Sequence, residues 1–230
     1  MDTNTESKSR LKTFLDNPSK ALWSLAIPIM FGMGIQTLYN LVDMIFIGRL
    51  GGHAITGIAF NMPLFFLVLG LTMGLGTGVT ASIARFIGQD NKKEADNSAE
   101  HAVFMAVRIS LSLSSIGLLF GKTILALFGA EGEILSLGWE YLHVMCVGMP
   151  FMIFSGFFRS ILAGEGDMKF PMMVAGLGTV LNIILDPIFI FELESYGGFG
   201  LGLGVAGAAM ATVISPVSYT HLTLPTILLV

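Results

Sequence analysis

Two acids stand inside stretches of sequence that are otherwise suited to lipid, and each has polar companions at helical spacing. Asp43 follows Gln36, Tyr39 and Asn40 in an i, i+3, i+4, i+7 series that puts all four side chains on one helix face. Asp186 follows Thr179 and Asn182, again on one face. An ionisable group in a membrane helix costs at least ~2.5 kcal/mol near the bilayer centre, and by default it marks function. Oxygen ligands of this kind suit a hard cation such as Na⁺, and a buried carboxylate suits a proton. The plainer role for such groups is polar glue between helices.

The elements that must position these residues follow from composition. The chain has 230 residues, 53% of them apolar and only 12% charged, with a mean hydropathy of +0.78. A soluble domain carries roughly 25% charged residues, so this surface needs lipid around it. Stretches with little or no charge recur at Ala21–Ile47, Ala54–Ala84, Ile134–Phe158 and Phe170–Phe191, each at least the ~20 residues that cross a bilayer core. An all-α integral membrane protein with six spans is expected: about Ala21–Ile47, Ala54–Thr80, a third ending near Phe120, Glu133–Phe158, Phe170–Phe191 and a sixth from Gly202. Polar Arg85–Glu100 reads as the longest loop between spans. The first apolar stretch is too long for a cleavable signal and lacks a small-residue cleavage site, so it reads as a signal anchor.

Basic residues orient the spans. Lys8, Arg10, Lys12, Lys20, Arg85, Lys92, Lys93, Arg159 and Lys169 fall on one side, against Arg49 and Lys122 on the other, with Arg108 inside the third span. The positive-inside rule then places the N-terminal segment 1–20 in the cytoplasm of a multi-pass protein. The first and fifth spans run outward, so Asp43 and Asp186 each lie ~8 Å below the outer surface, and the returning sixth span brings Thr212 to ~10–15 Å. Two acids, an amide and a hydroxyl meet at similar depth.

Other features have simpler readings. Pro28, followed by Gly32 and Gly34, predicts a bend in the first span, either static or coupled to protonation of Asp43. Pro187 frees a backbone carbonyl beside Asp186. Glu140 and His143 are near enough to the outer end of their span to snorkel, and Arg108 needs a partner not evident in the sequence. The 14 methionines are packing residues or a soft drug-binding surface. Gly202-x-Gly204-x-x-Gly207 matches a dinucleotide fingerprint by letter, but it lacks the strand–helix context and reads as a close-packing face. Cys146, alone in an apolar stretch, excludes a disulfide framework or zinc cluster, and the scattered basic residues exclude a nucleic-acid footprint.

The residues resemble the multidrug and toxic compound extrusion (MATE) family over nearly all of 21–215. The resemblance lies in LAIPI around Pro28, LYNLVDMIFIGRLG through Asp43, ASIARFIGQDN after the second span, FRSILAGEGDMKFPM, LNIILDPIFIF through Asp186 and GVAGAAMATVIS through Thr212. It implies a twelve-helix, two-lobe transporter of which this chain is the N-terminal six-helix lobe, with a C-terminal lobe as intramolecular partner. It implies antiport across the cell (inner) membrane, H⁺ or Na⁺ entering as drugs, often cationic, leave, with no cofactor. It also implies a cation site at Asp43, Asn182, Asp186 and Thr212, with Gln36 and Tyr39 as network positions and Pro28 as the hinge.

Two rivals are weighed. A lipid-linked oligosaccharide flippase of the same superfamily tends to line its cavity with basic residues, whereas this lobe offers acids. Gly164-Glu165-Gly166-Asp167 matches the GxGD of intramembrane aspartyl proteases, but Asp167 lies on the opposite side from Asp43, and two carboxylates sharing a proton must sit ~3 Å apart. The chain therefore reads as no enzyme. Val217–Thr226 (VSYTHLTLPT) resembles one reading frame of a transposase-based sequencing adapter. Residues 216–230 are therefore expected to be a non-native tail, which also admits a non-functional fragment; Pro216 and Pro225 suit the second half of a spanning helix badly.

Overall fold

The computed structural model describes residues 18–192 and 200–227, with side chains left out at some positions of the first helix, at Lys169 and beyond Ser215. The described residues form seven helices: α1 (Pro18–Gly48), α2 (Gly52–Ala59), α3 (Met62–Gly88), α4 (Lys92–Leu127), α5 (Gly132–Gly164), α6 (Lys169–Ile190) and α7 (Gly204–Ile227). Among the described residues there is no strand, only an isolated antiparallel bridge between Glu192 and Leu201. Five helices are long and apolar enough to cross a membrane, in α1, α3, α4, α5 and α6; the described apolar part of α7, Gly204–Ser215, is shorter.

Several boundaries differ from the sequence expectation: the second, third and fourth spans run on to Gly88, Leu127 and Gly164, past the expected Thr80, Phe120 and Phe158. The second span is two helices, broken at Phe60 and Asn61. Asn61 is buried, and its Nδ2 donates to Gly57 O at 3.0 Å and to Gly138 O of α5 at 3.1 Å. Pro63 then occupies the first turn of α3, where a missing N–H is harmless. The polar run after α3 is helical from Lys92 onward. Its N-cap Asn91 accepts from the Glu94 N–H at 3.3 Å, and the acid in the first turn suits the helix dipole. The backbone of α7 continues across Pro216 to Ile227 rather than stopping near Ser215, while the side chains of 216–230 lie outside the described residues. Helix α1 is helical through Pro28, whose side chain, with those of Gln36 and Tyr39, also lies outside them.

Helix α5 is the hub, packed against α2, α3, α4 and α7, and α7 in turn packs on α6, which packs on α1. Small residues permit the close approaches. A Cβ on Gly138 would stand 2.9 Å from Gly57 O, and one on Gly156 2.7 Å from Thr72 Cγ2. Thr80 Oγ1 donates to Ser160 O at 2.8 Å, tying α3 to α5. The largest enclosed cluster joins Val79, Ile83, Ala102, Ala106, Ile153, Phe157 and Ile161 from α3, α4 and α5.

Pro150 lies inside α5 and cannot donate to the carbonyl four residues earlier, that of Cys146. Ser114 of α4 supplies the lost donor, its Oγ reaching Cys146 O at 2.6 Å within the core. Ser114→Ala is expected to cost about 1–3 kcal/mol of stability, and much less in a Pro150→Ala background, where residue 150 regains its N–H. Denaturant unfolding of the single and double variants reads this coupling.

A buried acid–amide site between α1, α6 and α7

The site is placed by two helix pairs. Helices α1 and α6 run the same way. At one end a Cβ on Gly32 would stand 3.6 Å from Met172 Cγ, and at the other the rings of Phe46 and Phe191 meet edge to face at 6.0 Å. Asp43 sits close to this second contact, alongside Asp186, and the two lie within electrostatic range of each other. Helices α6 and α7 run opposite ways. Gly207 lies directly against the backbone of Phe189, and a Cβ on Gly178 would stand 3.5 Å from Ser215 O. Thr212 falls between those contacts, beside the stretch that holds Asn182 and Asp186. Ala208, Ala209 and Ala211 are wholly enclosed; within the Gly202–Gly207 motif it is Gly207 that serves close helix approach, whereas a Cβ on Gly204 would meet nothing within 4 Å. Gly202 and Gly204 have φ of +61° and +54°, backbone that glycine accepts without strain.

Asp186 is 0% exposed and Asn182 2%. Both carboxylate oxygens of Asp186, both amide atoms of Asn182 and Oδ1 of half-buried Asp43 are enclosed without a hydrogen-bond partner among the described residues. An ionised carboxylate in such a place costs several kcal/mol, and a bound proton or a small cation removes that cost. Thr212 Oγ1 donates to Ala208 O at 3.0 Å and Thr179 Oγ1 to Ala175 O at 3.0 Å. With its proton committed to its own helix, a threonine hydroxyl faces other groups only as an acceptor, as a cation ligand must. Asn40 is exposed, unlike Asn182 and Asp186. Proline at 187 leaves Ile183 O without its α-helical donor.

Asp167 belongs elsewhere. Its Oδ1 accepts from the Phe170 N–H at 3.2 Å, capping the start of α6, at the opposite end of that helix from Asp186. Sequence reasoning missed Asn61, whose buried Oδ1 also lacks a partner among the described residues; its signal was an amide two residues before Pro63 in an apolar run. It missed as well a link at the same end of the lobe as Asp43 and Asp186, where His53 Nδ1 and Glu133 Oε2 lie 2.8 Å apart.

A model of the MatE family matches residues 28–188, which takes in Asp43, Asn182 and Asp186. The chain belongs to the MatE family. It is 34% identical over 197 residues to the probable multidrug resistance protein NorM of Thermotoga maritima, covering 85% of this chain and 41% of that protein. It is 29% identical over 196 residues to the FAD transporter of Shewanella oneidensis, covering 85% of this chain and 42% of the relative. A crystal structure of MATE in the bent conformation superposes with a TM-score of 0.80 at 38% identity, covering 89% of this chain and 44% of that one. The chain thus spans about two fifths of the length of the relatives it matches, and its fold is that of one lobe of a MATE-type membrane transporter.

Proposed function

We propose that this lobe carries the coupling-cation site of an antiporter that exports small organic molecules, often cationic drugs, as H⁺ or Na⁺ moves inward. The observation that carries the reading is the enclosed acid–amide pair Asp186 and Asn182, without a hydrogen-bond partner among the described residues and within charge range of Asp43. Asp43, Asn182, Asp186 and Thr212 ligate the cation, and Gln36, Tyr39, Asn40 and Thr179 form the polar surroundings. Ion-loaded and ion-free states must differ in shape for a gradient to do work. The absent N–H of Pro28 makes α1 the element that bends, and a related MATE is solved in a form described as bent. The basic residues put the N-terminus in the cytoplasm. Drug efflux from vesicles holding the full-length transporter, under an imposed pH gradient or an imposed Na⁺ gradient, tests the reading; efflux indifferent to both gradients would end it. The MATE resemblance covers nearly all of 21–215, and residues 216–230 are taken as foreign to the lobe. A long genomic read is expected to diverge from VSYTHLTLPT just after Pro216; an uninterrupted native gene encoding that string would refute this.

A further inference from the structure

Helix α4 lies at the edge of the lobe, packed chiefly on α3 and α5 and away from the acid–amide site. Its apolar part, from Ala102 to Gly121, contains a single charged residue, Arg108. Arg108 is exposed, and so are its neighbours on the same side: Phe104 at 60%, Leu111 at 55% and Val107 at 42%. In a membrane this side faces lipid, where an unpaired cation is costly. Among the described residues Arg108 has no carboxylate partner. Its guanidinium instead lies over the Phe104 ring, with Cζ 4.8 Å from the centroid.

That contact shows which way the side chain runs. Phe104 is one turn closer to the N-terminus of α4, about 6 Å along the axis, so the guanidinium is drawn toward the end of the lobe that holds Arg85, Lys92 and Lys93. The Cα of Arg108 is about 9 Å inside the apolar stretch, but the charge returns to within about 3 Å of its edge, within reach of the headgroup phosphates that lie just outside the hydrocarbon. A guanidinium resting its face on a ring keeps its in-plane N–H donors, and their fork matches two oxygens of a phosphate. That end also carries Asp90, Glu94, Asp96 and Glu100, so no basic field surrounds Arg108; the guanidinium's own positive charge repels a zwitterionic headgroup's ammonium and favours a headgroup of net negative charge.

We propose that Arg108, seated on Phe104, binds the phosphate of an anionic phospholipid and anchors the edge of the lobe in the leaflet nearest the start of α4. The full-length transporter is reconstituted in nanodiscs of phosphatidylcholine doped with phosphatidylglycerol, extracted into detergent, and the retained lipids are counted by native mass spectrometry. Wild type is expected to keep phosphatidylglycerol in preference to phosphatidylcholine. Arg108→Gln is expected to reduce that preference about fivefold, and Phe104→Leu, which preserves the apolar surface, to reduce it as well by removing the platform. Arg85→Gln, a change at the same end but off this helix, is expected to leave it nearly unaltered. Equal retention of the two lipids by wild type would overturn the proposal. So would an unchanged preference in both Arg108→Gln and Phe104→Leu, or a loss with Arg85→Gln as large as that with Arg108→Gln, which would mean a diffuse field and no site.

Discussion

Asp186→Asn in the full-length transporter is expected to abolish gradient-driven drug efflux, a fall of at least about tenfold toward the level of empty vesicles, with folding and membrane insertion intact. The asymmetry between function and stability follows from the burial of the side chain. An ion-loaded carboxylate and a neutral amide have nearly the same size, and the amide removes an ionisable group from a place where charge is expensive. Stability should therefore hold or rise slightly. What the amide cannot do is alternate between a loaded and an empty charged form, and that alternation is what links a gradient to a conformational change. Asp43→Asn is expected to act in the same direction, since the two acids lie within each other's electrostatic range. Because Asp43 is half-buried rather than enclosed, its variant is expected to retain more residual binding.

Replacing Gly207 with Leu is expected to be the most damaging single change to the fold of this region, costing about 3 kcal/mol or more. Even a Cβ at this position would meet the Phe189 carbonyl, and backbone, unlike a flexible side chain, has no easy way to yield. Helices α6 and α7 would separate, carrying Thr212 away from Asn182 and Asp186, so transport should fail even in molecules that reach the membrane folded. Gly70 is the matched control: a side chain there meets nothing within 4 Å, and Gly70→Ala is expected to be neutral or stabilising by up to about 1 kcal/mol. Thermal unfolding in detergent, together with efflux, distinguishes the two positions.

The burial of Asp186 was legible because a charge inside an apolar run has few innocent explanations, and that of Asn182 because it stands one turn away on the same face; the side chains of Gln36 and Tyr39 lie outside the described residues. Span number and rough position were legible for the same reason. Boundaries were harder. The run from Ala54 to Ala84 has so little charge that hydropathy reads it as one helix, and the break at Phe60 and Asn61 depends on a tertiary bond from Asn61 to Gly138, residues 77 apart. The start of α4 was hidden by the opposite error: polarity suggested a loop, whereas Asn91 and Glu94 form a helix start that water tolerates well. Arg108 seemed to lack a partner because an acid was sought, and its neighbour proved to be a ring one turn away. The tie between Ser114 and the carbonyl freed by Pro150 joins two helices and leaves no local trace in either. At the proposed cation site the sequence located each residue along its own helix; the contacts of Gly207 with Phe189 and of Phe46 with Phe191 put those helices in register.

The central claim is that Asp43 and Asp186 belong to one cation site. The most direct measurement is infrared difference spectroscopy of the full-length transporter in lipid, following the protonated-carboxyl stretch as pH or Na⁺ is varied without drug. The account predicts a carboxyl band that disappears as pH rises or as Na⁺ is added, that is lost in Asp186→Asn and that is shifted in Asp43→Asn. A band that persists unchanged in both variants would place the coupling cation elsewhere and contradict the account.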